Sequence, residues 1–297
     1  MTDITALPIT GVMEIYIVFI LIYSVFGGLF DIGKKKALIR STTPAVMVLF
    51  TGVSFLISLI WVPFGVSIPF DMLWPIMLKG LMFAFAYFVV MKVLQRVDVS
   101  VVSLTTIIST VFSILFGMVL FHETITWIQI VGSVFVLGGA IAINFVNKNS
   151  KGRASLKDVY ILILYALISA ISGVIDRKTS MVIEPHQMQF WFQTFFFLFS
   201  CMFFSFECIK KKKFLIKKSD FGNWWIYLIG ALLIAADMFL YIAYSYPNSQ
   251  LIVISLVSKF KVIISVFLGI VIFKEQNYWK KIMLALMMFA GIILISL

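Results

Sequence analysis

The chain has 297 residues, 62% hydrophobic and 12% charged, with a formal net charge of +11. Soluble domains run at about 45–50% apolar and about 25% charged, so this composition excludes a soluble enzyme, a disordered chain and a disulfide-built secreted scaffold. Cys201 and Cys208 would stand roughly 10 Å apart on a helix, too far to bridge, and two histidines, His122 and His186, are too few for an all-histidine metal site.

A membrane-spanning helix needs about 20 apolar residues. Such runs occur in chain order at 12–31, 44–64, 75–95, 99–120, 126–146, 159–177, 187–208, 223–245, 250–272 and 278–296. They are continuous rather than alternating, which predicts helices and not barrel strands. The expected fold is therefore an all-α integral membrane protein with ten transmembrane helices. No Lys/Arg-rich n-region or small-residue cleavage site precedes the first run, so that span is expected to be retained.

The basic residues are distributed unevenly. Nineteen of the 24 Lys and Arg fall in or beside the loops that follow odd-numbered spans, including Lys34–Lys36, Lys92, Arg96, Lys210–Lys213, Lys217 and Lys218. Lys79, Arg177 and Lys178 fall on the other side, and Lys259 and Lys261 lie inside the ninth span. The positive-inside rule then puts the odd loops in the cytoplasm and both termini outside. Cytoplasmic loops beside anionic lipid account for the positive charge, so no nucleic-acid partner is expected.

The sequence repeats itself. A shift of 152 aligns Phe121-His122-Glu123 with Phe273-Lys274-Glu275, and Trp127 with Trp279, among seven identities over 23 positions. A shift of 145 aligns Ser24, Gly28 and Asp31 with Ser169, Gly173 and Asp176. Each half then holds five spans: 1–147 and 159–297, joined by a linker at 148–158. An odd number of spans per half makes the second copy enter the membrane from the opposite side, giving two inverted five-helix repeats with a site between them near the midplane.

Three of these features resemble the drug/metabolite transporter superfamily with paired EamA-type domains. They are the glycines in the first span of each half (Phe26-Gly27-Gly28 and Ser172-Gly173), the small and polar fourth and ninth spans, and the Phe-x-Glu ends. The resemblance covers essentially the whole chain. The chain departs from the usual pattern in having Phe26 where Trp often precedes Gly, and lysines where the ninth span often carries Pro. The resemblance implies cytoplasmic termini, opposite to the charge count. It also implies a cavity lined by spans one, three, four, six, eight and nine, with Glu123 and Glu275 holding helix ends.

Ionisable residues inside spans are functional candidates. Measured from the turn at Pro247-Asn248, Asp237 and Lys259 differ in depth by about 1.5 Å, so a buried ion pair between them is expected, with Lys261 left over. Ser103, Thr106, Thr110 and Ser113 form one polar helix face. Shifting by 152 gives Ser255, Ser258, Val262 and Ser265, flanked by Lys259 and Lys261. Asp237, Tyr241 and Tyr244 share a face at i, i+4 and i+7. Blander readings accompany these: hydroxyl stripes serve helix packing, Asp237 with one Lys is a structural pair, and Asp31 and Asp176 pair at the interface with neighbouring basic residues. Glu14 sits at a helix start, the aromatic run from Trp191 to Phe206 faces lipid, and Trp224, Trp225, Tyr278 and Trp279 form an interfacial belt.

The expected function is a secondary transporter of a small polar metabolite, anionic or zwitterionic, such as an amino acid or a phosphorylated compound. The substrate-binding candidates are Asp237, Lys259, Lys261, Tyr241, Tyr244, Ser103, Thr106, Thr110 and Ser258. The alternatives are an exporter of lipophilic drugs or organic cations, and a non-transporting membrane assembly or lipid-binding protein. No catalytic His/Asp cluster or Walker A motif occurs, so neither an enzyme nor an ATP-driven pump is expected. No cofactor is expected, with coupling to H⁺ or to substrate exchange left open. The expected partners are a small-molecule solute and the lipid bilayer of the cell membrane, with the chain a monomer or weak homodimer.

Overall fold

The computed structural model describes residues 15–105, 107–146, 155–273 and 278–296. Among these residues all regular structure is helical. In the first half the helices are α1 (Ile15–Arg40), α2 (Thr43–Ser58), α3 (Phe70–Leu94), α4 (Val99–Thr105), α5 (Ile108–Leu120) and α6 (Trp127–Val146). The second half has α7 (Leu156–Thr179), α8 (Pro185–Lys211), α9 (Trp224–Ser245), α10 (Leu251–Val257), α11 (Phe260–Phe273) and α12 (Tyr278–Ser296). Eight helical stretches are long and apolar enough to cross a membrane, and these include the α4–α5 and α10–α11 stretches, each counted as one. The fifth and tenth expected segments are also helical, as α6 and α12.

Local chemistry sets the ends. Pro44 and Pro185 begin α2 and α8, positions where a missing N–H costs nothing. Ser155 and Asp158 close a reciprocal capping box at the start of α7, and Lys212 ends α8 in the left-handed conformation.

The fourth and ninth segments, expected as continuous helices, are each broken in two. The second interruption falls at Ser258-Lys259 and the first includes Ile107, 152 residues before Lys259. After each break the chain restarts with the same tight bond: Thr110 N–H to Ile107 O and Val262 N–H to Lys259 O, both 2.8 Å. A break inside a membrane must find other partners for the freed backbone groups. The Ser24 hydroxyl supplies one, donating to Ser258 O at 3.3 Å as well as to Ile20 O.

The two halves interleave, and their packing is related pairwise. The α1–α9 pairing corresponds to α7–α3, α2–α9 to α8–α3, and α5–α7 to α11–α1, while α2–α8 and α6–α12 join equivalent helices. Gly80 and Gly230, 150 residues apart, mark the close approaches. A Cβ on Gly80 would sit 2.7 Å from Phe195, and one on Gly230 2.8 Å from Val53.

Polar contacts gather the C-terminal ends of α1, α3 and α8 with the N-terminal ends of α7 and α9 on one face. Arg96 pairs with Asp158, Lys92 with Glu207 at 2.9 Å, Lys35 Nζ donates to Val97 O at 2.6 Å, and Asn223 Nδ2 to Ala37 O at 2.9 Å. Because α1 ends where α7 begins, the two repeats run in opposite senses through the molecule. This face is rich in Lys and Arg. The other end carries the α9–α10 turn, clamped by Arg177.

Candidate functional site

The interleaved halves enclose two adjoining chambers that share Tyr23, Tyr87, Asp237, Lys259 and Lys261 in their walls. The chamber nearer the α7 C-terminus adds Lys79, Asp176, Tyr244 and Ser258, and its cavity is about 90 Å³. The one nearer the basic face adds Asp31, Lys34 and Ser103, and its cavity is about 50 Å³. The walls come from α1, α3, the broken fourth and ninth segments, α7 and α9, the set implied by the resemblance. α8 contributes too, through Phe192 and Phe196.

Close helix approach puts Lys261 there. A Cβ on Gly27 would meet the Lys261 side chain at 3.3 Å, and one on Gly28 would meet Ile264 at 2.6 Å. The bare α1 backbone therefore lets the lysine stem cross it, and Nζ reaches the Tyr23 hydroxyl at 3.0 Å. Lys259, at the break itself and 5% exposed, donates to Ser109 Oγ at 2.8 Å. Among the described residues, no carboxylate oxygen lies within 4.0 Å of either ammonium group.

The expected Asp237–Lys259 ion pair is therefore not formed. The two residues match in depth, but Asp237 turns toward α8 and accepts from Gln193 Nε2 at 3.1 Å, while Lys259 turns toward α5. The chamber's ion pair is a different one. Lys79 Nζ lies 2.5 Å from Asp176 Oδ1 and 2.9 Å from the Tyr241 hydroxyl, and stands over the Phe192 ring at 4.1 Å from its centroid. Asp176 thus pairs with a lysine of another helix and not with its neighbours Arg177 and Lys178, and both side chains of the pair are buried, at 3% and 4% exposed. Lys79, counted from sequence with the loops, is the tenth residue of α3.

The other candidates divide as follows. Tyr244 and Ser258 line the larger chamber and Ser103 the smaller. Tyr241 supports Lys79 through its hydroxyl. Thr110 is fully buried, its hydroxyl has no hydrogen-bond partner among the described residues and it lines neither chamber, and Thr106 lies outside the described residues. Phe192 and Phe196, expected to face lipid, are buried in the chamber wall, whereas Leu198, Met202 and Phe206 of the same helix are exposed. Asp31 pairs with Lys34 at 2.7 Å and accepts from Ser265 Oγ at 3.3 Å.

Glu123 serves as a helix cap across the repeat boundary. Its carboxylate accepts the backbone N–H groups of Leu251 at 2.6 Å and Ile252 at 2.9 Å, closing the N-terminus of α10. Glu14 and Glu275 lie outside the described residues.

A solved structure titled "Crystal structure of protein" is similar to this chain at a TM-score of 0.69 and 12% identity, covering 94% of this chain and 95% of its own. That likeness speaks to the fold. No curated protein matches the sequence. The sequence profile of the EamA-like transporter family matches twice, over residues 14–145 and 156–297. With both halves matched, the chain belongs to the EamA-like transporter family and is a multi-pass membrane protein built of two EamA repeats.

Proposed function

We propose that the protein is a ten-span secondary transporter of the cell membrane that carries a small organic solute with an anionic group, anionic or zwitterionic overall, by alternating access between two inverted repeats. The carrying observation is the pair Lys259 and Lys261: two lysine Nζ groups facing a buried chamber with hydroxyl partners and, among the described residues, no carboxylate oxygen within 4.0 Å. A charge out of water needs an opposite charge, and a solute carboxylate or phosphate supplies it. The Phe192 and Phe196 rings suit the apolar part of such a solute. At about 90 Å³ the larger cavity holds a few waters, so admitting a solute goes with helix movement, as alternating access requires.

The test is flux into proteoliposomes across amino acids, sugar phosphates and quaternary amines. Lys259→Gln and Lys261→Gln should each lower flux of the anionic or zwitterionic member by about tenfold or more, the loss of one charge-assisted contact. Flux of quaternary amines that survives or rises in both variants would instead favour the cation exporter.

A further inference from the structure

Two glutamines project from one face of α8 a turn apart, both fully buried. Gln189 uses both ends of its amide: Oε1 accepts from Trp61 Nε1 at 2.8 Å, and Nε2 donates to Ile234 O at 2.6 Å. Gln193 uses one. Its Nε2 donates to Asp237 Oδ2 at 3.1 Å, while Oε1 is buried with no partner. Asp237 in turn has no ion-pair partner: among the described residues, no lysine or arginine nitrogen lies within 4.0 Å of its carboxylate. It is also the one carboxylate that borders both chambers.

Both features are explained if the carboxyl exchanges a proton. Ionised, Asp237 only accepts, and the amide offers N–H. Protonated, it donates, and a half-turn of the amide about its last bond brings Oε1 to receive that O–H. The same side chain then serves both states, which the locked Gln189 could not do.

We propose that Asp237 is the proton-binding site of the transporter, with Gln193 as its reversible partner, and that proton and solute anion are carried together; this rests on the transport reading above. A hydronium ion in one chamber gives its proton to an Asp237 oxygen, forming the O–H bond and leaving water. Release into the other chamber reverses the step, and no electron is transferred. The groups around this site are Tyr23 on α1, Lys79 and Tyr87 on α3, Tyr165 and Asp176 on α7, Tyr241 on α9, and Lys259 and Lys261 at the ninth-segment break. α2, which also packs on α9, brings no titratable side chain. Neutralising Asp237 leaves the Lys79–Asp176 pair in place and removes the negative charge that competes with a solute anion for Lys259 and Lys261. Proton and anion therefore favour each other's binding.

The test is infrared difference spectroscopy of the full chain in liposomes, between alkaline and acidic buffer, with aspartate uptake under an inward acid gradient measured in parallel. A protonated-carboxyl band should appear on acidification, vanish in Asp237→Asn, and move but survive in Asp237→Glu. It should rise in frequency in Gln193→Met, where the O–H loses its acceptor. A band that persists in Asp237→Asn, or that Gln193→Met leaves unmoved, overturns the proposal. Failure of every flux assay with the band intact refutes the transport reading alone. Flux that ignores the acid gradient, with no band, refutes the proton reading alone.

Discussion

Lys79 is the side chain on which the larger chamber depends, since it joins α3 to Asp176 of α7 and to Tyr241 of α9 through one nitrogen. Removing one member of a buried ion pair strands the other and costs about 3–5 kcal/mol, whereas replacing both with apolar groups can be neutral. Lys79→Met should therefore lower the thermal midpoint in detergent markedly, and adding Asp176→Leu should recover most of the loss while leaving flux impaired. At this scale the sequence exposed part of the site. Asp237, Lys259 and Lys261 stood out because charge in the middle of an apolar run is costly. Lys79 was hidden because α3 begins at Phe70, ahead of the apolar run, which moves the lysine from the rim to the interior. Asp176 was masked by Arg177 and Lys178 beside it, though Arg177 turns away to bind the α9–α10 turn at Tyr244 O, Pro247 O and Ser249 Oγ. Depth along a helix can be counted from sequence. Rotation about its axis is set by packing, and it was rotation that separated Asp237 from Lys259.

Helices α10 and α4 are short, and short helices leave much of their backbone unsatisfied at the ends. For α10 the remedy is Glu123, delivered by the chain reversal after α5, where His122 takes a positive φ of 53° and Glu123 N–H returns to Gly117 O at 3.1 Å. Bonds to a charged group contribute about 1.5–3 kcal/mol. Glu123→Gln should destabilise the protein by about that much, read as a lower denaturation midpoint, with the proposed Lys259 and Lys261 contacts to solute retained. The Phe-x-Glu motif was legible in the sequence as a helix-end device. That it would act on the other repeat was not, because no local pattern records which distant N-terminus a carboxylate meets. The helix breaks were equally hidden. Neither contains Pro or Gly, and hydropathy reads straight through them.

Across the whole molecule, the strongest helix pairings join one repeat to the other: α1 with α9, α6 with α12, α3 with α8. A half produced alone would leave those faces unpaired. Residues 15–146 and 155–296 expressed separately should each be degraded or aggregate, and co-expression should restore a complex that co-elutes on size exclusion. A half that is stable and monodisperse by itself would contradict the interleaved arrangement. The two-fold repetition was legible from the 152 and 145 shifts, because the end motifs and glycines recur. The 150 shift of the third and eighth segments emerged only from the matching close approaches of Gly80 and Gly230.

The two repeats share a fold but not their side chains. At the position equivalent to Lys79 stands Ile229, which packs against Gly33 of α1, where a Cβ would sit 2.3 Å away. At these two equivalent positions one repeat carries a buried ion pair and the other an aliphatic contact, so the repeats differ in what holds the matching helices together. In the alternating access proposed above, opening the Asp176 side means parting a buried ion pair, a cost with no counterpart at Ile229.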